Sequence, residues 1–376
     1  MNPLQQRLTG AIDAARETIL SVSHQIHAHP ELGYQEVFAS DLLARTLQAA
    51  GFQVESGFAG IPTALRAWKG RGGRRVAFLA EYDALPGLGH ACGHNVIAAS
   101  ALAAGIGLGA VAEQAGGEVW VVGTPAEETD GAKCYMVERG VFDGLDAVLM
   151  VHPYAGSYTT APTLALSAVT VDFYGRPAHA AASPWEGVNA LDAVIQLFNS
   201  LNALRQQLTP DVRIHGIISQ GGDAPNIIPE HTQAKFYLRA ARRETVAELN
   251  RRFEAAAQGA ALASGCRVEI VHPEKDFWDM RTALPLAERF RNYMVDALGA
   301  EAFRDAPDSF GSSDIGNVSH VAPAIQPLVD ITGGQPYLPH TPEFARAACS
   351  PAADQAIVRA GKGLALTGLD VLLGSV

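Results

Sequence analysis

Three short apolar runs, Arg75–Ala80, Glu118–Gly123 and Asp146–Val151, constrain this chain more than any other feature. Each has the length and β-branched content of a strand buried on both faces, and each breaks off at once into polar residues. Glu81-Tyr82-Asp83 follows the first, Thr124-Pro125-Ala126-Glu127-Glu128 the second, and His152-Pro153 the third. Strands of this kind build parallel sheets, and in open parallel sheets ligands bind beyond the carboxyl ends of the strands. The three polar segments are therefore expected around one crevice. Helical patterns separate the strands, as crossover connections require: Val96–Ala112 begins after Asn95, a favourable helix cap, and Lys133–Glu138 fits a shorter helix. The first of these is rich in Ala and Gly and short for a bilayer, so it reads as a buried helix and not a membrane span.

The middle of the chain has a different rhythm. Leu164–Tyr174 alternates like a strand, Asn189–Leu208 carries Leu191, Val194, Ile195, Phe198, Leu201 and Leu208 on one helical face, and Val212–Ile218 and Gln233–Ala240 read as strands. Glu244–Ala263 reads as a helix and Arg267–His272 as a last strand. This β-α-β-β-α-β order is that of a ferredoxin-like unit. From Thr282 the chain resumes helix and strand alternation, and Ser350-Pro351 starts a final helix reaching towards Leu372. The expected fold class is α/β: a mainly parallel-sheet catalytic domain formed by residues 1–165 and 281–376, interrupted by an inserted ferredoxin-like α+β domain at 166–280.

Chemistry concentrates in Glu81–Asn95, where a thiol, two histidines and two carboxylates share a loop punctuated by Gly and Pro. Cys92 and His94 are one residue apart, so in an extended segment both side chains point to the same face and converge on one ion or two neighbouring ions. Gly93 between them permits close approach of the backbone. Taken alone, the pair fits a small buried Cys beside a core His equally well. Glu127-Glu128 taken alone fits a solvated surface, but neighbouring carboxylates in an extended loop project in different directions, which lets one bind a cation while the other handles protons. His152 draws weight from its place at a strand end, and His340 from the Pro-rigidified turn Gly333–Pro342. With 376 residues and a net charge of −11, the chain is long enough for two domains and poorly suited to a phosphate backbone or an anionic membrane. A small-molecule substrate is expected, with no nucleic acid and no membrane as partner. The four cysteines, Cys92, Cys134, Cys266 and Cys349, lie far apart, and Met1–Leu20 mixes polar and apolar residues, so a reducing, cytoplasmic setting is expected.

Together with further segments, these motifs resemble the dinuclear-metal aminoacylase and carboxypeptidase family, in the amidohydrolase branch that includes indoleacetyl-amino-acid hydrolases, aminobenzoyl-glutamate hydrolase and certain cytosolic dipeptidases. The resemblance is carried in family order by His27-Ala-His-Pro-Glu-Leu-Gly33, Tyr82-Asp83-Ala-Leu-Pro86, His90-Ala-Cys-Gly-His94, Pro125-Ala-Glu-Glu128, Gly175-Arg-Pro-Ala-His179, Asn226-Ile-Ile-Pro229 and His340-Thr-Pro-Glu343. The whole of Glu81–Asn95, with Gly311–Ser319, looks most like the aminobenzoyl-glutamate hydrolase and dipeptidase side of the branch.

The resemblance implies that Cys92, His94, Glu128, His152 and His340 are metal ligands, with Cys92 bridging, that Glu127 is the general base, and that Asp83 orients a ligand. It also implies that His179 meets the substrate carbonyl, often across a dimer interface, that Asn226 and Arg239 contact a substrate carboxylate, and that the protein is a homodimer through its inserted domain. For Arg239, the alternative to carboxylate binding is an exposed strand-end arginine. Two positions depart from the pattern: Glu81 stands where the wider family carries a metal-binding His, and Asn95 replaces the Asp common among indoleacetyl-amino-acid hydrolases.

The expected function is hydrolysis of the amide bond of an N-acyl amino acid or dipeptide-like substrate with a free carboxylate. Two divalent ions would activate the water and Glu127 would act as base. Zinc suits the mixed N, O and S donors best, with manganese or cobalt as alternatives. Two other readings compete: an amidase with Cys92 as nucleophile and His94 or His90 as its base, and a non-catalytic protein that binds metal or amino acid. Against the first, it leaves the donors at the other strand ends without a role; against the second, pure binding does not need the carboxylate of Glu127.

Overall fold

The computed structural model describes residues 1–307 and 311–376. The chain divides into two compact units, Met1–Pro162 with Met280–Val376, and Thr163–Asp279. Three helices open the first unit, α1 (Pro3–Ala14), α2 (Arg16–Ala28) and α3 (Val37–Ala49). Strands β1 (Gln53–Ser56), β2 (Leu65–Gly70) and β3 (Arg75–Ala80) follow, then α4 (His94–Gly109), α5 (Ala112–Ala115), β4 (Glu118–Gly123), α6 (Ala132–Glu138), β5 (Ala147–Leu149) and β6 (His152–Tyr154). The second unit contains β7 (Ala165–Tyr174), α7 (Ala190–Leu204), β8 (Arg213–Gln220), β9 (His231–Ala240), α8 (Arg243–Ser264) and β10 (Arg267–Val271). Back in the first unit come α9 (Leu284–Asn292), α10 (Ile315–Ser319), β11 (Ala324–Ile325), β12 (Leu328–Asp330), α11 (Pro342–Ala347) and α12 (Pro351–Leu373).

In the first unit, six strands form a sheet in the order β1-β2-β4-β3-β5-β11. Strand β3 runs parallel to both β4 and β5, and β11 runs parallel to β5, while β1 and β2 add an antiparallel edge. The continuous apolar runs have a direct structural cause. Val76, Phe78 and Ala80 of β3 enter one core with α4 and α12, whereas Ala77 and Leu79 enter a second core with α6 and α10, so both faces of the strand are dry. Helix α4 is buried along nearly its whole length, and Gly361 of α12 lies so near it that an added Cβ would stand 2.4 Å from the Ala103 Cβ. No helix among the described residues is long and apolar enough to cross a membrane.

Three details depart from the sequence reading. Helix α4 starts at His94 after a left-handed Gly93, so Asn95 lies within its first turn and is not its cap. The Asn95 amide instead donates to Ser23 Oγ and to the Ala348 carbonyl, both at 2.9 Å, tying α4 to α2 and to the turn before α12. The third apolar run contributes only Ala147–Leu149 to the main sheet, and His152 opens the separate strand β6, paired in parallel with β12. The antiparallel edge of β1 and β2, and helices α1 to α3, add elements that no strong local pattern announces.

In the second unit all four strands are antiparallel in the order β10-β7-β9-β8, with α7 and α8 packed on one face through Val171, Phe173, Leu197, Phe236 and Phe253. Asn189 caps α7 by accepting from Leu191 N at 2.9 Å. The opposite sheet face carries alternating polar positions, among them Lys235, Tyr237 and Arg239 of β9.

Candidate metal centre

The candidate site is built where β3, β4 and β5 end. The Thr124 amide donates to the Ala80 carbonyl at 2.8 Å and brings the first two strand ends together. Beyond β3, Asp83 is buried and accepts twice, from His94 Nδ1 at 2.8 Å and from the Glu128 amide at 2.9 Å. A carboxylate only accepts, so Nδ1 of His94 carries a proton, and this bond fixes the ring with Nε2 turned to the site. That Nε2 is wholly buried and has no hydrogen-bond partner. His152 is arranged likewise: its Nδ1 donates to the Pro153 carbonyl at 2.8 Å, which turns Nε2 towards Cys92 Sγ at 3.5 Å.

Cys92 and His94 do not lie in an extended segment. They occupy a turn into α4, and Gly93 between them takes φ +78, where an added Cβ would stand 2.7 Å from Pro153 Cγ. That close approach brings the thiol beside His152. The loop after β4 is equally constrained: Ala126 holds φ +60, and its amide donates to the buried Glu36 Oε1 at 2.8 Å. The two carboxylates after it do not diverge as an extended loop would make them. Glu127 Oε2 and Glu128 Oε1 lie 4.0 and 3.9 Å from the same His94 Nε2. His340, with φ +65 and its amide on the Ala91 carbonyl at 2.8 Å, directs Nε2 to within 3.3 Å of Glu128 Oε1.

Three sets of side chains have ligand atoms mutually within 4.8 Å: Cys92, His94 and His152; Cys92, Glu128 and His340; and His94, Glu127 and Glu128. The first two sets share the Cys92 sulfur. Two ion positions joined through one thiolate fit this arrangement, and the unpartnered, fully buried Nε2 of His94 fits a nitrogen meant for a cation.

Electrostatics separates the roles. Burial, then the charges of Glu81, Glu128 and Asp314, push the Glu127 carboxyl well up. Burial also acts on Glu128, but the His340 hydrogen bond and the charge of His94 outweigh it and hold Glu128 below its ordinary value. Burial pushes the Cys92 thiol well up, and no cation among its protein neighbours overcomes this. A thiol in that state is a poor nucleophile until a positive charge joins it.

His179, Asn226 and Arg239 belong to the second unit. His179 and Asn226 lie on adjoining segments: Ala180 N donates to the Asn226 carbonyl at 3.0 Å, and His179 bridges to Ile227. The Ala181 and Ala182 amides both donate to His179 Nδ1 at 3.2 Å, so the exposed Nε2 carries the proton and is a donor. Arg239 lies on the open sheet face, with its guanidinium 5.6 Å from the Tyr237 ring centroid. Burial lowers its pKa.

The structure also brings in residues with no individual signal in the sequence. Lys133, at the start of α6, is completely buried, with Nζ 2.6 Å from Glu81 Oε1 and 2.6 Å from Asp314 Oδ1. A lysine opening a predicted helix reads as a solvated charge, and only the burial of α6 against α10 reveals otherwise. Asp314 lies within the Gly311–Ser319 segment, but nothing in that segment marks it as a partner of Lys133.

Residues 165–265 match the family model of the M20 peptidase dimerisation domain. The chain is 41% identical over 388 residues to the Xaa-Arg dipeptidase of Mus musculus, covering 98% of this chain and 89% of that one. It is 36% identical over 291 residues to one of the subunits of p-aminobenzoyl-glutamate hydrolase from Escherichia coli K12, covering 72% of this chain and 60% of that one. Among solved structures, a dinuclear metal binding peptidase of the M20 family from Bacillus subtilis superposes with a TM-score of 0.69 at 20% identity, over 96% of this chain and 99% of that one. That last likeness bears on the fold.

Proposed function

The chain belongs to the M20 peptidase family of metal-dependent amide and peptide hydrolases, and we propose that it cleaves the amide bond of a dipeptide or N-acyl amino acid whose leaving group carries a free carboxylate. The observation that carries this reading is the pair of three-residue donor sets that meet at Cys92 Sγ, with the Glu127 carboxyl 4.0 Å from His94 Nε2 beside them. Cys92, His94 and His152 would hold one divalent ion, and Cys92, Glu128 and His340 the other. The sulfur, nitrogen and oxygen donors suit zinc, with manganese or cobalt as substitutes. When bound, such ions polarise a carbonyl and lower the pKa of water from about 15.7 towards about 7.

Glu127 takes the proton of the attacking water and delivers it to the departing amine nitrogen as the carbon–nitrogen bond breaks. Asp83 keeps His94 in the tautomer with a free Nε2. His179, with Nε2 protonated, supplies a donor for the carbonyl oxygen as its charge develops, a contribution of about 3–4 kcal/mol at such positions. Asn226 and Arg239 bind the carboxylate of the leaving amino acid, the guanidinium by two parallel hydrogen bonds. A free carboxylate on the amino-acid side agrees with the substrates named by the dipeptidase and aminobenzoyl-glutamate hydrolase relatives. The match to a dimerisation domain supports a homodimer formed through the second unit.

A screen of dipeptides and N-acyl amino acids, with metal content measured in parallel, tests the reading. Chelation is expected to abolish hydrolysis and re-addition of zinc or manganese to restore it. Glu127→Gln is expected to keep its metal and lose about 10²–10⁴ in kcat. Hydrolysis that survives chelation but not thiol alkylation would return Cys92 to the role of nucleophile.

A further inference from the structure

A cavity of about 530 Å³ opens on the face of the main sheet that α6 covers, beside the edge strands β1 and β2. None of the residues in the three donor sets lines it. Three arginines do, each from a different element: Arg66 from β2, Arg75 from the start of β3 and Arg139 from the C-cap of α6. The sheet register puts Trp68 opposite Trp120 and Arg66 opposite Val122, so Arg66 shares its sheet face with both indole rings. Its guanidinium lies 4.7 Å from the Phe58 ring centroid and 4.8 Å from those of Trp68 and Trp120, while that of Arg75 lies 5.8 Å from Trp120. Three rings thus hold the Arg66 charge in one place.

Like charges gathered in one concavity repel, and here the protein's own partners do not cancel them. Among the described residues only Glu55 forms an ion pair with any of the three, at 2.8 Å from Arg66. The Arg75 guanidinium donates to the Gly144 carbonyl at 2.9 Å, and that of Arg139 donates to the Ala59 carbonyl. Each guanidinium carries five N–H donors, so most of them stay uncommitted. Two glycines with positive φ leave the arginines room: a Cβ at Gly144 would stand 2.9 Å from Arg75 Nη2, and one at Gly60 would stand 3.4 Å from Arg139 Nη1. With Asp143 and Glu55 the only acidic residues in its lining, the cavity keeps a positive excess in a chain whose net charge is −11. A concave surface of one sign concentrates ligands of the other.

We propose that this cavity binds the phosphate group of a small molecule, either as the free ion or as a phosphomonoester, at a site separate from the metal centre. A carboxylate is planar and is satisfied by one guanidinium through two parallel hydrogen bonds. A phosphate carries nearly two charges near neutral pH and presents three acceptor oxygens in different directions. Three guanidiniums anchored on three separate elements suit the second shape and the second charge. The volume falls in the range of roughly 300–1,000 Å³ typical of small-molecule sites, which leaves space for an organic part beside the phosphate.

The test is calorimetric titration of the full chain with inorganic phosphate, glucose 6-phosphate and citrate, each with and without chelator. Phosphates also bind divalent ions, so the arginine site is the part of the binding that survives chelation. Arg75→Gln and Arg139→Gln are each expected to weaken that part about 10–100-fold, and the double variant to abolish it. Binding should also weaken as the salt concentration rises. Tighter binding of glucose 6-phosphate than of inorganic phosphate would identify an organic ester as the ligand, and equal affinities the free ion. If thermal melting shows that Arg75→Gln does not fold, Arg139→Gln decides alone, since its side chain is exposed. No binding by wild type, binding lost on chelation, or unaltered binding in Arg139→Gln would overturn the site. Citrate bound as tightly as the phosphates would overturn the choice of anion.

Discussion

His94 and His340 bring the same imidazole to the same cluster by different means. His94 is fully buried, opens a helix that is itself core, and has its ring locked by Asp83. With it goes His152, whose ring is fixed by the Pro153 carbonyl. The His340 side chain is 53% exposed, sits on a turn before α11, and meets Glu128 without a second anchor of comparable burial. One half of the cluster is held by the fold itself, with both rings fixed by hydrogen bonds. The other half depends on a left-handed backbone at His340 and on one ion pair, and it is the half with room to adjust.

The largest expected effect separates the halves directly. His152→Ala should remove the ion of the buried half, taking metal content from two equivalents to one and lowering affinity there by more than the roughly 10–100-fold typical of an outer partner. It should also destabilise the metal-free protein. His340→Ala should weaken the other ion, yet change metal-free stability by only about 0.5 kcal/mol, as substitutions at exposed positions do. Metal analysis and thermal melts of chelated proteins check both. Equal losses of stability in the two variants would erase the distinction drawn here.

Sequence and structure agree where local chemistry repeats a global demand. The runs at 76–80 and 119–122 are apolar at every position because both sheet faces are covered, and β9 and β10 of the second unit alternate because only one face of their sheet is. The polar residues just past the strand ends were legible for the same reason. What stayed hidden depends on distant packing. Nothing local distinguishes Lys133 from a surface lysine, or Asn95 from a helix cap, until α10, Ser23 and Ala348 are in place. The divergence expected of Glu127 and Glu128 failed because Ala126 takes a left-handed conformation that no local rule assigns to alanine.

Gly93→Ala strikes the seam between Cys92, His94 and the strand that carries His152. The substitution places a side chain at φ +78 and a Cβ 2.7 Å from Pro153 Cγ, so strain and overpacking add. A loss of about 2–5 kcal/mol is expected in denaturant unfolding of the metal-free protein, together with weakened binding of the buried-half ion. Unchanged stability would mean that this turn moves more freely than its close packing implies.

The smallest effect concerns the support beneath Glu127 and Glu128. Glu36 is fully buried, accepts from the left-handed Ala126, and leaves Oε2 without a partner. Burial, helped by the charge of Asp83, pushes its carboxyl up from 4.5 to about 7, although its hydrogen bonds pull the other way. A folded-state pKa raised above the unfolded value means the folded form keeps its proton longer. The stabilisation is therefore complete below about pH 4.5 and is lost as pH rises towards 7. Glu36→Gln keeps an acceptor for the Ala126 amide and cannot ionise. Between pH 5 and 8, metal-free wild type should lose stability relative to this variant by on the order of 2–3 kcal/mol, read from urea unfolding at the two pH values. Parallel pH profiles would show that Glu36 is ionised in the fold, and the loop bearing Glu127 and Glu128 would then rest on a charged anchor that resists the loss of its partner more strongly than a neutral one.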